Sequence, residues 1–574
     1  MNRFAVPILL VCLPLSCSSG SKGTDAGTSA GGAAGRGAAQ LGSAGAGAGG
    51  GVSGSVGGSG AVASGAASVL MHHNDLARDG VYVDAKLTHT AVASLRVDPT
   101  FAGALVTANV YAQPLYLAGR GSVPDQVIVA TEGNQVYAFD AATGAQTWRR
   151  SVGTPVSAGL PCGIIAMGNY LDGTPNTLGI TGTPVIDAAT RTIYLDAMTA
   201  DSTATAKHFV HALDADTGAE QAGWPAAGVD VNTTASSGGT TFTSLLQNQR
   251  AALALVGGKV FIPYGGHGGD CLGYHGWVVG IATSTVTAGS GAPAVSAWAT
   301  RAVAGGIWGA SGIASDGTSI FIATGNSKSS ASAGANSSSG DSGGSWGDSE
   351  TVYKFPTSLT PPPLTTTTDY FVPSNWVSLD DQDADVGGTG PVLLDLPGAP
   401  PLAVALGKDA NAYLLNRSNL GGMDATPLAK MQVSSGSIIN AAVAYTTTTA
   451  TYVVFRGGGN GCPAGQSGGL TAVRVTPGAT ATSAPTMSIA WCGGPSTSGS
   501  PAVSQDPTRA NTIVWSVGDD NKLHGIDGDL GQTVWFGGGP TAMSPVQPIQ
   551  TPIIANGRVF VASSSQVYAF TTSP

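Results

Sequence analysis

Charge is scarce in this chain. Only 10% of its 574 residues are Asp, Glu, Lys or Arg, and the balance is acidic, with a net charge of −10. Binding to phosphates needs a stripe or run of Lys and Arg; none is present, which excludes nucleic acid as a partner. Glu and Lys, both strong helix formers, are few, and aromatics make up 6%. With 85 glycines and abundant Ser, Thr and Val, an all-β fold is the expectation. Cysteine is rare, and no CxxC or CxxCH spacing occurs, which excludes a zinc ribbon and a c-type haem. No Gly-x-Ser-x-Gly precedes a helix-like stretch, so a hydrolase nucleophile elbow has no motif to rest on.

What is present begins with a leader. Met1–Cys17 carries one Arg, a short apolar core and a small residue before Cys17. This is the pattern of an export signal, too short for a spanning helix. Leu15-Ser16-Cys17 resembles a bacterial lipoprotein cleavage box, with Cys17 the residue to be lipidated; Pro14 departs from that pattern. From Ser18 to Ser68 the chain is almost wholly Gly, Ala and Ser. Such a segment buries too little to offset its chain entropy and reads as a flexible tether. Its glycines are not a phosphate loop, because no strand precedes them and no Lys-Ser/Thr follows. The division expected is therefore 1–17 signal, 18–68 tether and 69–574 folded domain, extracytoplasmic and held to a membrane by a lipid.

Four cysteines follow the leader: Cys162, Cys271, Cys462 and Cys492. An even count in an exported chain points to disulfides, and three pairings are open. Cys462–Cys492 is favoured as the more local closure, leaving Cys162–Cys271.

The folded part is organised around a recurring unit. Val127–Trp148 holds two β-rich runs, a turn Asp140-Ala-Ala-Thr-Gly144 and a trailing Trp148. The turn returns as Asp214-Ala-Asp-Thr-Gly218 before Trp224, and as Asp527-Gly-Asp-Leu-Gly531 before Trp535. Gln135-Val-Tyr-Ala-Phe139 recurs unchanged at Gln566–Phe570. Alternating β-branched and aromatic residues between glycine-bearing turns are hairpin signals, and their repetition marks a propeller or solenoid.

The Asp-x-x-x-Gly turn with a trailing Trp resembles the repeat of the pyrroloquinoline quinone (PQQ) dehydrogenase-like propellers, over nearly the whole of His72–Phe570. Eight stretches start with small residues, from Gln113-Pro114 to Thr551-Pro552. Each leads to a β-rich run such as Val127–Thr131, Leu402–Leu406 or Thr512–Val517. The eighth stops at Pro574 without an outer strand, which the early run Leu95–Leu105 can supply. The expectation is an eight-bladed β-propeller of four-stranded antiparallel blades, closed by an N-terminal strand and monomeric.

The resemblance also implies a site. Gly305-Gly-Ile-Trp308-Gly leads to Thr324-Gly-Asn326, as in the quinoprotein alcohol dehydrogenases, where the Trp lies beneath PQQ and the Asn ligates calcium. On that likeness Trp308 is the floor of a cofactor pocket and Asn326 a metal ligand. Gly407-Lys408 resembles the segment whose Lys contacts the quinone, and Thr181, in Ile180-Thr-Gly-Thr-Pro184, is a further cofactor contact. Asp385, with Asp383 second, stands where the family carries its catalytic base. Without the resemblance, Trp308 reads as a core aromatic, Asn326 as a turn cap, and the run Asp380-Asp-Gln-Asp-Ala-Asp385 as a solvated loop.

Departures matter as much. The family's second repeat carries a calcium-binding Glu, whereas Leu195–Lys207 offers only Asp196 and Asp201; the family's adjacent-cysteine disulfide is also missing. His267, Asp270 and His275 form a second polar cluster, either a metal site or braces for loops at the channel mouth. The expectation is a binding or interaction module for a small molecule or protein at the propeller face, with a relic cofactor pocket. The alternatives are a PQQ- and calcium-dependent alcohol or sugar dehydrogenase, and a scaffold for outer-membrane assembly.

Overall fold

The structure is a computed structural model that describes residues 68–156, 177–200, 205–267, 273–284, 293–328, 346–480, 483–537 and 542–572. Cys17, the tether, Cys162, Asp201, Asp270, Cys271 and most of the Lys328–Asp348 insertion lie outside these residues, and so does the expected Cys162–Cys271 pairing.

Eight antiparallel sheets form the blades of a propeller. Blade 1 runs outward from the axis through Leu115–Leu117, Gln126–Ala130, Gln135–Asp140 and Gln146–Ser151. The innermost strands of blades 2 to 7 are Val185–Asp187, Ala254–Val256, Ala314–Ser315, Val392–Leu394, Val443–Thr446 and Ala502–Gln505. Leu402–Leu406 and Thr512–Val517 are second strands, as their sequence pattern predicts. Most blades have four strands; blade 3 has five, and blade 7 gains a fifth, Val81–Val83, parallel to Ala502–Gln505 and on its axial side. Blade 8 is built from both ends of the domain. Arg96 and Val97 pair with Thr571 and Phe570, and Leu105 bridges to Gln566, so the N-terminal strand closes the ring and removes an open edge.

The repeat turn is legible as chemistry. Asp140 Oδ1 accepts the amide hydrogens of Ala142 and Thr143 at 2.8 and 2.9 Å, and Gly144 has φ +73°. Asp214 and Asp527 make the same paired bonds in blades 2 and 7. Trp148 and Trp535 then reach the next blade, whereas Trp224 donates to Val210 O within its own. Trp148 donates from Nε1 to Ala215 O at 3.0 Å, and its ring covers Gly218, where a Cβ would stand 2.6 Å away. Trp491 repeats this on blade 7, donating to Gly528 O and covering Gly531 at the same 2.6 Å. Each of these glycines therefore meets two demands, left-handed backbone and space for an indole. The apolar core lies between neighbouring sheets: Ile128, Ile186 and Leu195 join blades 1 and 2, and Phe321, Leu393 and Tyr413 join blades 4 and 5.

The segment before the first blade does more than open the chain. Val69 pairs with Tyr116 of blade 1, and Leu70 O accepts from Ile186 of blade 2. Leu76, Ala77, Asp79 and Gly80 then accept from Ser315, Leu393, Ala444 and Val503 in blades 4, 5, 6 and 7. Asp84 ends the run by accepting from Gly557 of blade 8. Arg78, fully buried, donates to the carbonyls of His72, Leu253 and Ile313 at 2.7–2.9 Å, adding blade 3. Residues 69–84 thus fill the axis as a plug bonded to every blade. His72 and His73 are stacked within it, 4.2 Å apart and buried.

Cys462 and Cys492 form the favoured disulfide, with Cα atoms 5.6 Å apart. Among the described residues no helix is long and apolar enough to cross a membrane.

Candidate functional site

In blade 4 the second strand Ser319–Ala323 runs toward the same rim from which the innermost strand departs, so Trp308 and Asn326 meet there. In blade 5 the same geometry places Asp385, ahead of Val392–Leu394, beside Lys408, just after Leu402–Leu406. The Asp385 carboxylate is the hub. Its Oδ1 accepts the Asn326 backbone N–H at 2.8 Å, and its Oδ2 accepts Trp308 Nε1 at 3.1 Å and lies 2.8 Å from Lys408 Nζ. Lys408 Nζ also reaches Asp383 Oδ1 at 2.5 Å and stands 5.0 Å from the Trp308 ring centroid. The Arg250 guanidinium stands over the same ring, also at 5.0 Å, and donates to Trp308 O.

Two glycines of the motifs make room for this carboxylate. A Cβ on Gly325 would lie 2.9 Å from Trp308 Nε1 and 3.1 Å from Asp385 Oδ1, and one on Gly407 would lie 2.1 Å from Asp385 O. The structure thus brings Trp308, Asn326, Asp383, Asp385 and Lys408 into one group. Burial opposes the Lys408 charge, but the Asp385 and Asp383 carboxylates outweigh it and hold the ammonium above its ordinary range.

The aspartate run is only partly a solvated loop. Asp381 is exposed, but Asp380 and Asp385 are buried because each ties down backbone. Asp380 accepts from the amide and hydroxyl of Ser327 at 2.7 and 2.8 Å. Sequence reasoning missed Glu350, which belongs to the same group. It is fully buried, one oxygen accepts from the Val386 amide at 2.7 Å, and Oε1 has no partner. Burial, then the charge of Asp385, pushes its carboxyl well above the usual range. Its only local signal is a lone Glu directly after the low-complexity insertion, where the chain re-enters blade 4.

Thr181 belongs elsewhere. Its hydroxyl donates to Glu132 Oε1 at 2.6 Å, while Gly179 N–H donates to Oε2 at 2.6 Å. Glu132, also missed, is buried, and burial pushes it up to about 7. Asp196 does not supply the missing acidic ligand either. It is locked between His208 Nδ1 at 2.6 Å and the Tyr264 hydroxyl at 2.9 Å. His267 and His275 hydrogen-bond through single ring nitrogens to Leu245 O and Thr300 O, each braced on backbone.

These residues do not fit a calcium-bound quinone. Calcium takes roughly six to eight oxygens. Among the described residues no group of three or more His, Cys, Asp and Glu side chains is arranged to hold a metal. Both Asp385 oxygens already serve donors of this chain, Asp196 is committed to His208, and two cations of this chain already stand against the Trp308 ring.

No family model and no curated protein matches the chain. Solved structures share its fold. A quinohemoprotein alcohol dehydrogenase from Pseudomonas putida HK5 superposes with a TM-score of 0.55 at 11% identity, covering 88% of this chain and 80% of that one. A europium-containing methanol dehydrogenase gives 0.53 at 14%, covering 88% and 98%. A quinohemoprotein alcohol dehydrogenase from Comamonas testosteroni gives 0.53 at 13%, covering 88% and 80%. At such identities the likeness is one of fold.

Proposed function

We propose that this PQQ-like propeller is an exported binding or interaction module, its quinone-type site replaced by an internal ion-pair lock. In this reading a lipid on Cys17 ties it to a membrane outside the cytoplasm. It acts as a monomer, and a small molecule or protein is taken at the rim around Trp308. The observation that carries the reading is the hub carboxylate: Asp385 receives Trp308, Asn326 and Lys408, so neither a free base nor a free cation is left for quinone chemistry. Base catalysis requires a carboxylate within reach of the substrate proton and not already saturated.

The second reading is a PQQ- and calcium-dependent dehydrogenase of alcohols or sugars. The gathering of Trp308, Asn326, Asp385 and Lys408 at one rim favours it. One experiment separates the two: purified protein is mixed with PQQ and calcium, or with PQQ and a lanthanide. Bound quinone is followed by absorbance, and electron transfer by an artificial acceptor in the presence of alcohols and sugars. The module reading expects no stoichiometric quinone and no acceptor reduction. Acceptor reduction abolished by Asp385→Asn would establish the dehydrogenase instead.

A further inference from the structure

We propose that Lys408 is the resident cation of the blade 4–blade 5 site, an ammonium that holds its carboxylates together and keeps divalent metal ions out. The inference rests on the preceding reading that this chain's own donors fill the site. Lys408 Nζ lies 2.5 Å from Asp383 Oδ1 and 2.8 Å from Asp385 Oδ2, bridging two carboxylates as a small cation does. Its remaining direction faces the Trp308 ring at 5.0 Å, an aromatic face that favours an ammonium.

Further acidic groups crowd the site: Asp385 and Glu350 are buried, and Asp409 follows Lys408 in the chain. Glu350 Oε1 and Asn326 Nδ2 are buried without partners, so the pocket retains polar groups that its own hydrogen bonds do not use. Asp383 stands just past the helix Trp376–Asp381, at φ +53° in its left-handed stop, which aims its carboxylate back at Nζ. A buried carboxylate group cannot stay uncompensated; with the ammonium removed it must take up another cation or a proton. Two carboxylates, an amide side chain and entering water are hard oxygen ligands, so the cation taken up is a divalent or trivalent hard metal.

The test uses terbium ions as the probe, with emission sensitised by indole, on the purified folded protein. Wild type should show no terbium signal that depends on Asp385. Lys408→Gln, or Lys408→Met with its apolar stem retained against Trp308, should raise terbium affinity by roughly tenfold or more, the effect of one unit charge removed from a poorly screened site. Calcium should compete, and adding Asp385→Asn should abolish the signal. Lys408→Arg, which keeps the charge, should stay like wild type. An Asp385-dependent signal in wild type overturns the proposal whether or not any variant folds. So does a folded Lys408→Gln or Lys408→Met protein that binds no terbium and simply takes up a proton. Neither outcome restores the dehydrogenase reading, which is decided by acceptor reduction with PQQ.

Discussion

Glu132 makes stability depend on pH in a direction opposite to that of most carboxylates. Its side chain is buried between Thr181 and Gly179 with no cation against it among the described residues, and burial raises it from 4.5 to about 7. At 1.36 kcal/mol per unit, that rise corresponds to about 3 kcal/mol. The folded value lies above the unfolded one, so the contribution is fully present below the unfolded value and is lost as pH rises through the folded value. From about pH 4.5 the unfolded chain ionises first and stability declines; above about pH 7 both states are ionised and the loss levels off. Glu132→Gln removes the titration while keeping the bonds. Its amide oxygen accepts Gly179 N–H, and its NH2 donates to the Thr181 hydroxyl, as a protonated Glu would. Urea unfolding of both proteins at pH 5 and pH 8.5 measures the effect. The variant should stay within about 1 kcal/mol of wild type at the lower pH and exceed it by about 3 kcal/mol at the higher. A difference between the two proteins that does not change with pH would refute the reasoning.

Two further outcomes test how the ring is held. Arg78→Ala leaves three buried carbonyls unpaired in the plug and should cost about 3–5 kcal/mol by denaturation; Arg78→Lys should restore less than half, because an ammonium lacks the fork that reaches blades 3 and 4 together. Gly531→Ala sets a Cβ 2.6 Å from the Trp491 ring at φ +71° and should cost about 2–4 kcal/mol. Gly398→Ala, with φ +82° and nothing within 4 Å, should cost only about 1 kcal/mol; equal losses at both would remove the clasp from the explanation.

The fold was legible because its information is local and repeated. Asp140, Gly144 and Trp148 lie close together in sequence, and each performs one task that residue type alone predicts. Closure was legible for the same reason, since a missing outer strand at one end matched a spare run at the other. The plug was not. Met71–Gly80 has neither period 2 nor period 3.6, because its backbone bonds go one by one to different blades rather than along one ladder. The site was legible in part. Motif glycines and strand ends brought Trp308, Asn326, Asp385 and Lys408 to one rim. Glu350, after a Gly- and Ser-rich segment, and Glu132, in a Glu-Gly-Asn turn, were hidden because single acidic residues there look solvated, and only burial by distant strands makes them significant.

That division bears on what the retained motif residues mean. Asp385 secures the Asn326 amide and the Trp308 indole, and its own backbone carbonyl accepts the Lys408 amide. The carboxylate therefore joins blades 4 and 5 whether or not a quinone ever bound there. Removing it would leave the partly buried Lys408 ammonium with Asp383 alone and two donors unpaired, a loss of several kcal/mol. Interblade cohesion is thus sufficient reason for Trp308, Asn326, Asp385 and Lys408 to stand together. What decides chemistry is the ligand set beyond them. There Asp196 is committed to His208, Thr181 to Glu132, and Lys408 lies between the carboxylates.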